Sequence, residues 1–236
     1  MQIFFAEILS GQSGQLTEEE ARHCQKVLRH QPGDRIHVTD GSGNMFLAQI
    51  QSFDRAGASL LILETYPGFG ESGVKVRLAV SLLRLKDRFE WLMEKAVELG
   101  VTEIFPIICE RTDKYKGKVK EDRLEKIILT ALKQSKRSKL PLFHEAIPFQ
   151  KFIHLPDNGF RILAWCESEQ KIQLFSQDIQ NASSVTLVIG PEGDFTHDEV
   201  QLARENGYEV VSLGEIRLRT ETAAMYVLSV LKMLRE

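Results

Sequence analysis

Two short stretches near the carboxyl end of this 236-residue chain combine residue types that suit ligand chemistry. In the first, Val188-Ile-Gly-Pro-Glu-Gly-Asp-Phe195, Pro191 and Gly193 fit the second and fourth positions of a type I turn. Such a turn bares backbone N–H and C=O groups with little side-chain bulk, so a flat ligand can come close. In the second, Leu213-Gly-Glu-Ile-Arg-Leu-Arg-Thr-Glu-Thr-Ala223, Gly214 frees the backbone, and Arg217 and Arg219 bring guanidinium groups. Thr220 is placed to cap a following helix, with Glu221 near its positive end. Each stretch follows a segment that reads as a parallel strand, and open α/β sheets bind ligands at the carboxyl ends of such strands. Together they define a candidate ligand site.

Other chemistries lack their residues. The chain has no G-x-x-x-x-G-K-[ST] phosphate loop, no G-x-G-x-x-G after a strand, no G-x-S-x-G elbow and no C-x-x-C pair. Its six histidines have no metal-ligand spacing with cysteines or carboxylates, so no metal site is expected. Asp40-Gly-Ser-Gly43 faintly resembles a methyltransferase glycine loop, but it lies between two β-like runs with no helix after it. It reads as a hairpin turn.

Composition sets the remaining bounds. With 43% apolar and 27% charged residues, the chain is an ordinary globular protein. No apolar run reaches the roughly 18–20 residues that span a bilayer. The amino terminus lacks a basic leader with a cleavage site, and the three cysteines are odd in number and far apart. A cytoplasmic location with reduced thiols is expected. The net charge of −3 conceals a basic stretch, Arg111–Lys139, with 11 basic and 4 acidic residues. That stretch is either a solvated helix face or a footprint for a polyanion.

The elements that must position these features fall into two parts. Up to residue 70 the chain reads as short strands, with a helix from Thr17 whose capping-box partner is Glu20. Ala21, Cys24, Val27 and Leu28 form the expected inward side of that helix. Strands at 35–39 and 45–51 flank the Asp40–Asn44 turn, and another spans 58–64, which together suggest a small β-barrel. A linker follows at Tyr66–Gly73. From residue 74 to 236, strands and helices alternate, implying a mostly parallel sheet with helices on both faces. The helices are expected at 86–99, 121–138, after the Thr196/Glu199 capping box, and at 220–234. The last is apolar nearly all round, which requires burial on more than one side and suits a subunit interface.

The pairing of Gly-Pro-Glu-Gly-Asp-Phe with Leu-Gly-x-x-x-Leu-Arg-Thr-Glu-Thr-Ala resembles the SPOUT class of S-adenosylmethionine-dependent RNA methyltransferases. More closely, it is similar to the RsmE family, which methylates N3 of a uridine in 16S ribosomal RNA. Val27–Asp34, Asp87–Val101, Glu110-Arg-Thr112 and Gln134–Ser138 agree with that family. Asp194 stands where the family often has glycine, and Ile216-Arg217 replaces the more common Arg-Ile.

The resemblance implies an α/β fold: a PUA-like β-barrel at 1–70, then at 74–236 a SPOUT-type parallel sheet with a C-terminal trefoil knot, assembled as a homodimer. It implies S-adenosyl-L-methionine as cofactor, held by Leu163, Ala164, Gly190, Pro191, Gly193, Leu213, Gly214, Leu218, Thr222 and Ala223. Arg219 is the expected stabiliser of charge on the uracil, and Glu192 a general base or ligand contact. The expected partner is 16S ribosomal RNA or the small subunit. Arg22, Lys26, Arg29, Lys86, Arg88, Lys114, Lys116, Lys118, Lys136 and Arg137 are the expected RNA-facing cations. Two alternatives stay open at this level: a SPOUT enzyme acting on another RNA, and a non-catalytic RNA-binding assembly factor.

Overall fold

The computed structural model describes residues 1–10, 12–112, 121–170 and 177–234. The chain divides into two compact units: Met1–Glu71 with Leu129–Leu140, and Ser72–Ile128 with Pro141–Glu236.

The first unit is a closed five-stranded barrel built from β1 (Ile3–Ser10), β2 (Ser13–Leu16), β3 (Arg35–Thr39), β4 (Asn44–Phe53) and β5 (Ala58–Pro67). The order around it is β1-β2-β5-β4-β3, closed by a parallel pairing of β1 with β3. Alternating residues such as Phe4, Ala6, Ile36, Val38, Ala48, Ile50, Leu60 and Ile62 fill its interior, the period-2 pattern of strands with one buried face. The Asp40–Asn44 turn joins β3 to β4 as an antiparallel hairpin. Strand β2, Ser-Gly-Gln-Leu, has only two buried positions and no run of β-branched residues, so its sequence does not announce it.

The helix after Thr17 departs from expectation. α1 (Glu18–Arg22) gives way to a π-helical turn at His23–Val27, with the Leu28 N–H donating to the His23 carbonyl. The wider turn rotates later residues away from the 3.6-residue stripe. Ala21 and Cys24 are buried as expected, but Val27 is 64% exposed and Leu28 is exposed too. Only half of the expected capping box forms: the Glu20 N–H donates to Thr17 Oγ1, while the Glu20 carboxylate pairs with Lys133.

Lys133 lies in the segment Leu129–Leu140, which is part of the barrel unit. Thr39 Oγ1 is 2.9 Å from the Ser138 carbonyl, and the Gly43 and Leu140 N–H groups donate to Ser138 and Gly41. Glu71 binds the same segment. One oxygen accepts from the Ser138 and Lys139 N–H groups at 3.0 and 2.9 Å, and the other pairs with Arg137 at 2.7 Å.

The second unit is a parallel seven-stranded sheet. Its strands are β6 (Lys75–Ser81), β7 (Glu103–Ile108), β8 (Leu142–Phe143), β9 (Ile147–Pro148), β10 (Phe160–Ala164), β11 (Ser184–Ile189) and β12 (Glu209–Val211), in the order β12-β10-β11-β6-β7-β8, with β9 also on β7. The helices are α2 (Lys86–Glu98), α3 (Glu121–Gln134), α4 (Phe149–Ile153), α5 (Gln177–Asn181), α6 (His197–Glu205) and α7 (Thr220–Met233). α3 ends four residues short of the expected Ser138. The sheet is buried on both sides: Val76, Leu78, Val80, Leu187 and Ile189 face α2 and α7, while Ala79, Leu163, Val188 and Phe105 face α4 and α6. This accounts for the near-continuous apolar runs of β6 and β11. α7 rests on α2, β6 and β11, burying Ala224, Val227, Leu228 and Leu231. On its other side Tyr226 is 46% exposed and Met233 is exposed.

Candidate functional site

Strands β10, β11 and β12 end side by side, and the loops that leave them enclose a cavity of about 320 Å³. Ala164, Trp165 and Cys166 come from the first loop, and Ile189 to Glu192 with Asp194 from the second. Ser212 to Arg219 come from the third, and Thr220 and Ala223 from the first turn of α7. The volume lies at the lower end of the range for small-molecule sites.

The second loop turns one residue later than its sequence suggests. The Asp194 N–H donates to the Pro191 carbonyl at 2.9 Å, centring the turn on Glu192 and Gly193. Gly190 is required by close approach, since a Cβ there would lie 2.9 Å from the Phe195 ring. Behind the turn, Arg111 Nη1 donates to the Gly193 and Phe195 carbonyls at 3.0 and 3.3 Å. The backbone before Arg111 is fixed in turn, because Glu199 Oε1 accepts from the Glu110 N–H at 2.9 Å. Oε2 of Glu199 accepts from the Thr196 N–H, and Thr196 Oγ1 accepts from the Glu199 N–H, completing the expected capping box of α6. One buried carboxylate therefore starts a helix and anchors the loop that carries Arg111.

The third loop is tied to the second at two points. Thr220 does not cap α7; Arg219 occupies the cap position, and the buried Thr220 hydroxyl donates to the Gly190 carbonyl at 3.0 Å. Arg217 Nη2 donates to the Glu192 carbonyl at 3.2 Å. Ile216, in the position expected of arginine, is 82% exposed. Gly214 adopts φ +129°, which side chains rarely tolerate, and bonds Ser212 in both directions.

Of the expected cofactor residues, Ala164, Gly190, Pro191, Leu213, Gly214, Leu218 and Ala223 line the cavity, and so do Glu192 and Arg219. Three do not. Leu163 is buried in the sheet on the α4–α6 side, Gly193 packs against Arg111, and Thr222 is exposed on α7. Arg219 is exposed, and among the described residues its side chain has no ion pair. Glu192 is also exposed, with Oε1 3.4 Å from the Arg84 N–H. Asp194, Ser212 and Ile189 line the cavity beyond expectation, and Arg111 supports it from behind.

The expected RNA-facing cations fare unequally. Lys26, Arg29 and Lys136 are exposed, and Arg22 is exposed beside Glu18 at 2.9 Å. Lys86 lies 3.3 Å from Glu90, and Arg88 lies 3.7 Å from Glu221. Arg137 is only 4% exposed and ion-paired with Glu71, which removes its guanidinium from any surface. Lys114, Lys116 and Lys118 lie outside the described residues. Among the described residues, no cluster of histidine, cysteine and acidic side chains could hold a metal, and no helix is long and apolar enough to cross a membrane.

A parallel sheet whose strand-end loops, two of them glycine-bearing, surround one cavity, in a chain that also forms a small closed barrel, is the architecture of SPOUT RNA methyltransferases with a PUA-like domain. Residues 70–232 match the RNA methyltransferase domain family, and residues 16–63 match the RNA methyltransferase PUA domain. The Ribosomal RNA small subunit methyltransferase E of Bacillus subtilis is 32% identical over 97% of this chain and 95% of its own length. That of Synechocystis is 30% identical over 94% and 73%. The crystal structure of the Neisseria gonorrhoeae Ribosomal RNA small subunit methyltransferase E, bound to S-adenosyl methionine, superimposes with a TM-score of 0.84 at 30% identity. The match covers 99% of this chain and 98% of that one. The chain belongs to the ribosomal RNA small subunit methyltransferase E family.

Proposed function

We propose that this chain transfers the methyl group of S-adenosylmethionine to N3 of a uridine in 16S ribosomal RNA. The observation that carries the reading is the cavity at the ends of β10, β11 and β12, with Arg219 on its wall and free of ion pairs among the described residues.

The residues present fit the cofactor. Ala164, Ile189, Leu213, Leu218 and Ala223 supply apolar wall for a heterocycle, and Gly214, beside which a Cβ would meet nothing within 4 Å, leaves the backbone of the third loop open to it. Bound there, S-adenosylmethionine supplies a methyl group already activated by its sulfonium charge. The chain is left to align the acceptor and to assist loss of the N3 proton. As that proton leaves, negative charge spreads to uracil O2 and O4. A guanidinium suits that charge because it stays protonated and offers planar donors. Arg219 takes this role. Glu192, exposed on the same wall, is the candidate proton acceptor or ligand contact.

Lys26, Arg29, Arg22 and Lys136 on the barrel unit are proposed to meet RNA phosphates, with Lys86 and Arg88 serving the target nucleotide. The exposed apolar side of α7, with Tyr226 and Met233, supports a homodimer. The crossing of the three loops is read as a trefoil knot, and the enzyme as cytoplasmic.

The test is incubation of the purified chain with S-adenosylmethionine and either small subunits or free 16S RNA, then mass spectrometry of digested nucleosides. 3-Methyluridine is the expected product. A methyl group on a ribose, another base or no nucleoside at all overturns the reading.

A further inference from the structure

The geometry of Asp194 is unusual in two ways. Its φ is +62°, a left-handed conformation that aspartate tolerates better than most residues but glycine better still. Its carboxylate also spans two loops: Oδ2 accepts from the Cys166 N–H at 3.1 Å, and Oδ1 accepts from the Phe195 N–H at 2.9 Å. Cys166 belongs to the loop after β10, and Asp194 to the loop after β11. Both residues line the cavity. A glycine here would relieve the backbone but leave the Cys166 N–H without that acceptor.

We infer that Asp194 is a positioning residue that clasps the loop after β10 to the loop after β11 and so holds one wall of the cavity in its binding shape. This rests on the reading of the cavity as the S-adenosylmethionine site. The carboxylate acts through backbone donors. A charge-assisted hydrogen bond between two loops limits the rotation that would otherwise have to be frozen when a ligand binds. The neighbouring thiol reports on the clasp. Cys166 is exposed, whereas Cys24 and Cys109 are buried. Partial covering of the sulfur, and then its contact with the Asp194 carboxylate, raise the Cys166 thiol to about 11.

Asp194→Gly separates the clasp from the strain, since glycine accepts φ +62°. Calorimetry with S-adenosylmethionine is expected to show affinity about tenfold weaker than wild type, the scale of one lost charge-assisted hydrogen bond. Asp194→Asn keeps a neutral acceptor and the same backbone preference, and should recover part of that loss. Alkylation of Cys166 at pH 8 should be faster in both variants, because removing the carboxylate lowers the thiol toward its ordinary value and raises the thiolate fraction. Wild-type affinity in Asp194→Gly overturns the clasp. If that variant does not fold, Asp194→Asn carries the test, and wild-type affinity with unchanged alkylation overturns it. Wild-type protein that binds no S-adenosylmethionine sinks the cofactor reading instead. The clasp then stands or falls on the alkylation rates alone.

Discussion

Arg111 and Gly193 are bound across the back of the cavity: the Arg111 guanidinium reaches the Gly193 carbonyl at 3.0 Å, while a Cβ on Gly193 would lie 3.2 Å from the Arg111 Cβ. The same nitrogen reaches the Phe195 carbonyl, so one side chain holds both flanks of Asp194. Arg111→Ala removes hydrogen bonds to two carbonyls from an exposed guanidinium and is expected to cost about 0.5–1.5 kcal/mol of stability. It should also weaken S-adenosylmethionine binding, because the turn it supports forms the cavity wall. Denaturant unfolding and calorimetry on one preparation check both effects.

Arg219 has the opposite relation to the fold, being exposed on the cavity wall with no ion pair among the described residues. Arg219→Ala should leave the unfolding midpoint almost unchanged. Turnover is expected to fall about 10²–10³-fold, the scale for losing one donor to developing charge. S-Adenosylmethionine affinity should stay within about threefold. An unchanged turnover with intact cofactor affinity removes Arg219 from the chemistry.

Glu71 is the hub of the segment that completes the barrel, accepting from Arg137, Ser138 and Lys139. Because Arg137 is buried, Glu71→Ala withdraws the carboxylate from a desolvated cation, and about 3–5 kcal/mol of stability should be lost. Lys136→Ala, one residue from Arg137 but exposed, should change stability by less than about 0.5 kcal/mol. The contrast is read by denaturant unfolding.

Acid should act through Asp157. Its burial alone would raise the carboxyl, but the Thr186 hydroxyl, the Gly159 N–H and Arg77 outweigh burial and hold it below the ordinary value. A group depressed in the folded state stabilises above its unfolded value of about 3.9, and that contribution is lost as pH falls through the folded value. The wild-type urea midpoint should therefore fall more steeply below pH 4 than that of Asp157→Asn, which starts lower at pH 7. Parallel slopes refute the assignment.

RNA binding should be salt-sensitive through the exposed cations of the barrel unit. Lys26→Ala and Arg29→Ala should each reduce the slope of log affinity against log salt by about 1. Binding assays at several salt concentrations measure this directly. A slope that neither change alters places the phosphates elsewhere.

Much of this protein was legible in its residues, and the exceptions have physical causes. Apolar alternation located the long strands of the barrel unit, which bury one face, and near-continuous apolar runs located β6 and β11, which bury both. The Thr196/Glu199 pair marked the start of α6 because both arms of a capping box lie within four residues. β2 escaped because a barrel can enclose a Ser-Gly-Gln-Leu strand with two buried positions. Val27 and Leu28 moved outward because a π-helical turn leaves no mark in a 3.6-residue pattern. The charge of Arg111–Lys139 was visible, but its division was not. Arg111 supports a turn and Arg137 is buried, each through partners more than 60 positions away in the sequence. The glycines of the cavity loops were visible as residue types, whereas the approach of the Phe195 ring that requires Gly190, and the meeting of Asp194 with Cys166, arise only in three dimensions.

The discontinuous make-up of the barrel unit bears on synthesis. Residues 129–140 belong with strands that end at Pro67, so the amino-terminal unit cannot reach its final form when its last strand leaves the ribosome. It must wait until residue 140 has emerged, well over half the chain. A nascent protein halted before that point would present Thr39 and Glu71 without the carbonyl and N–H groups they bind in the finished fold.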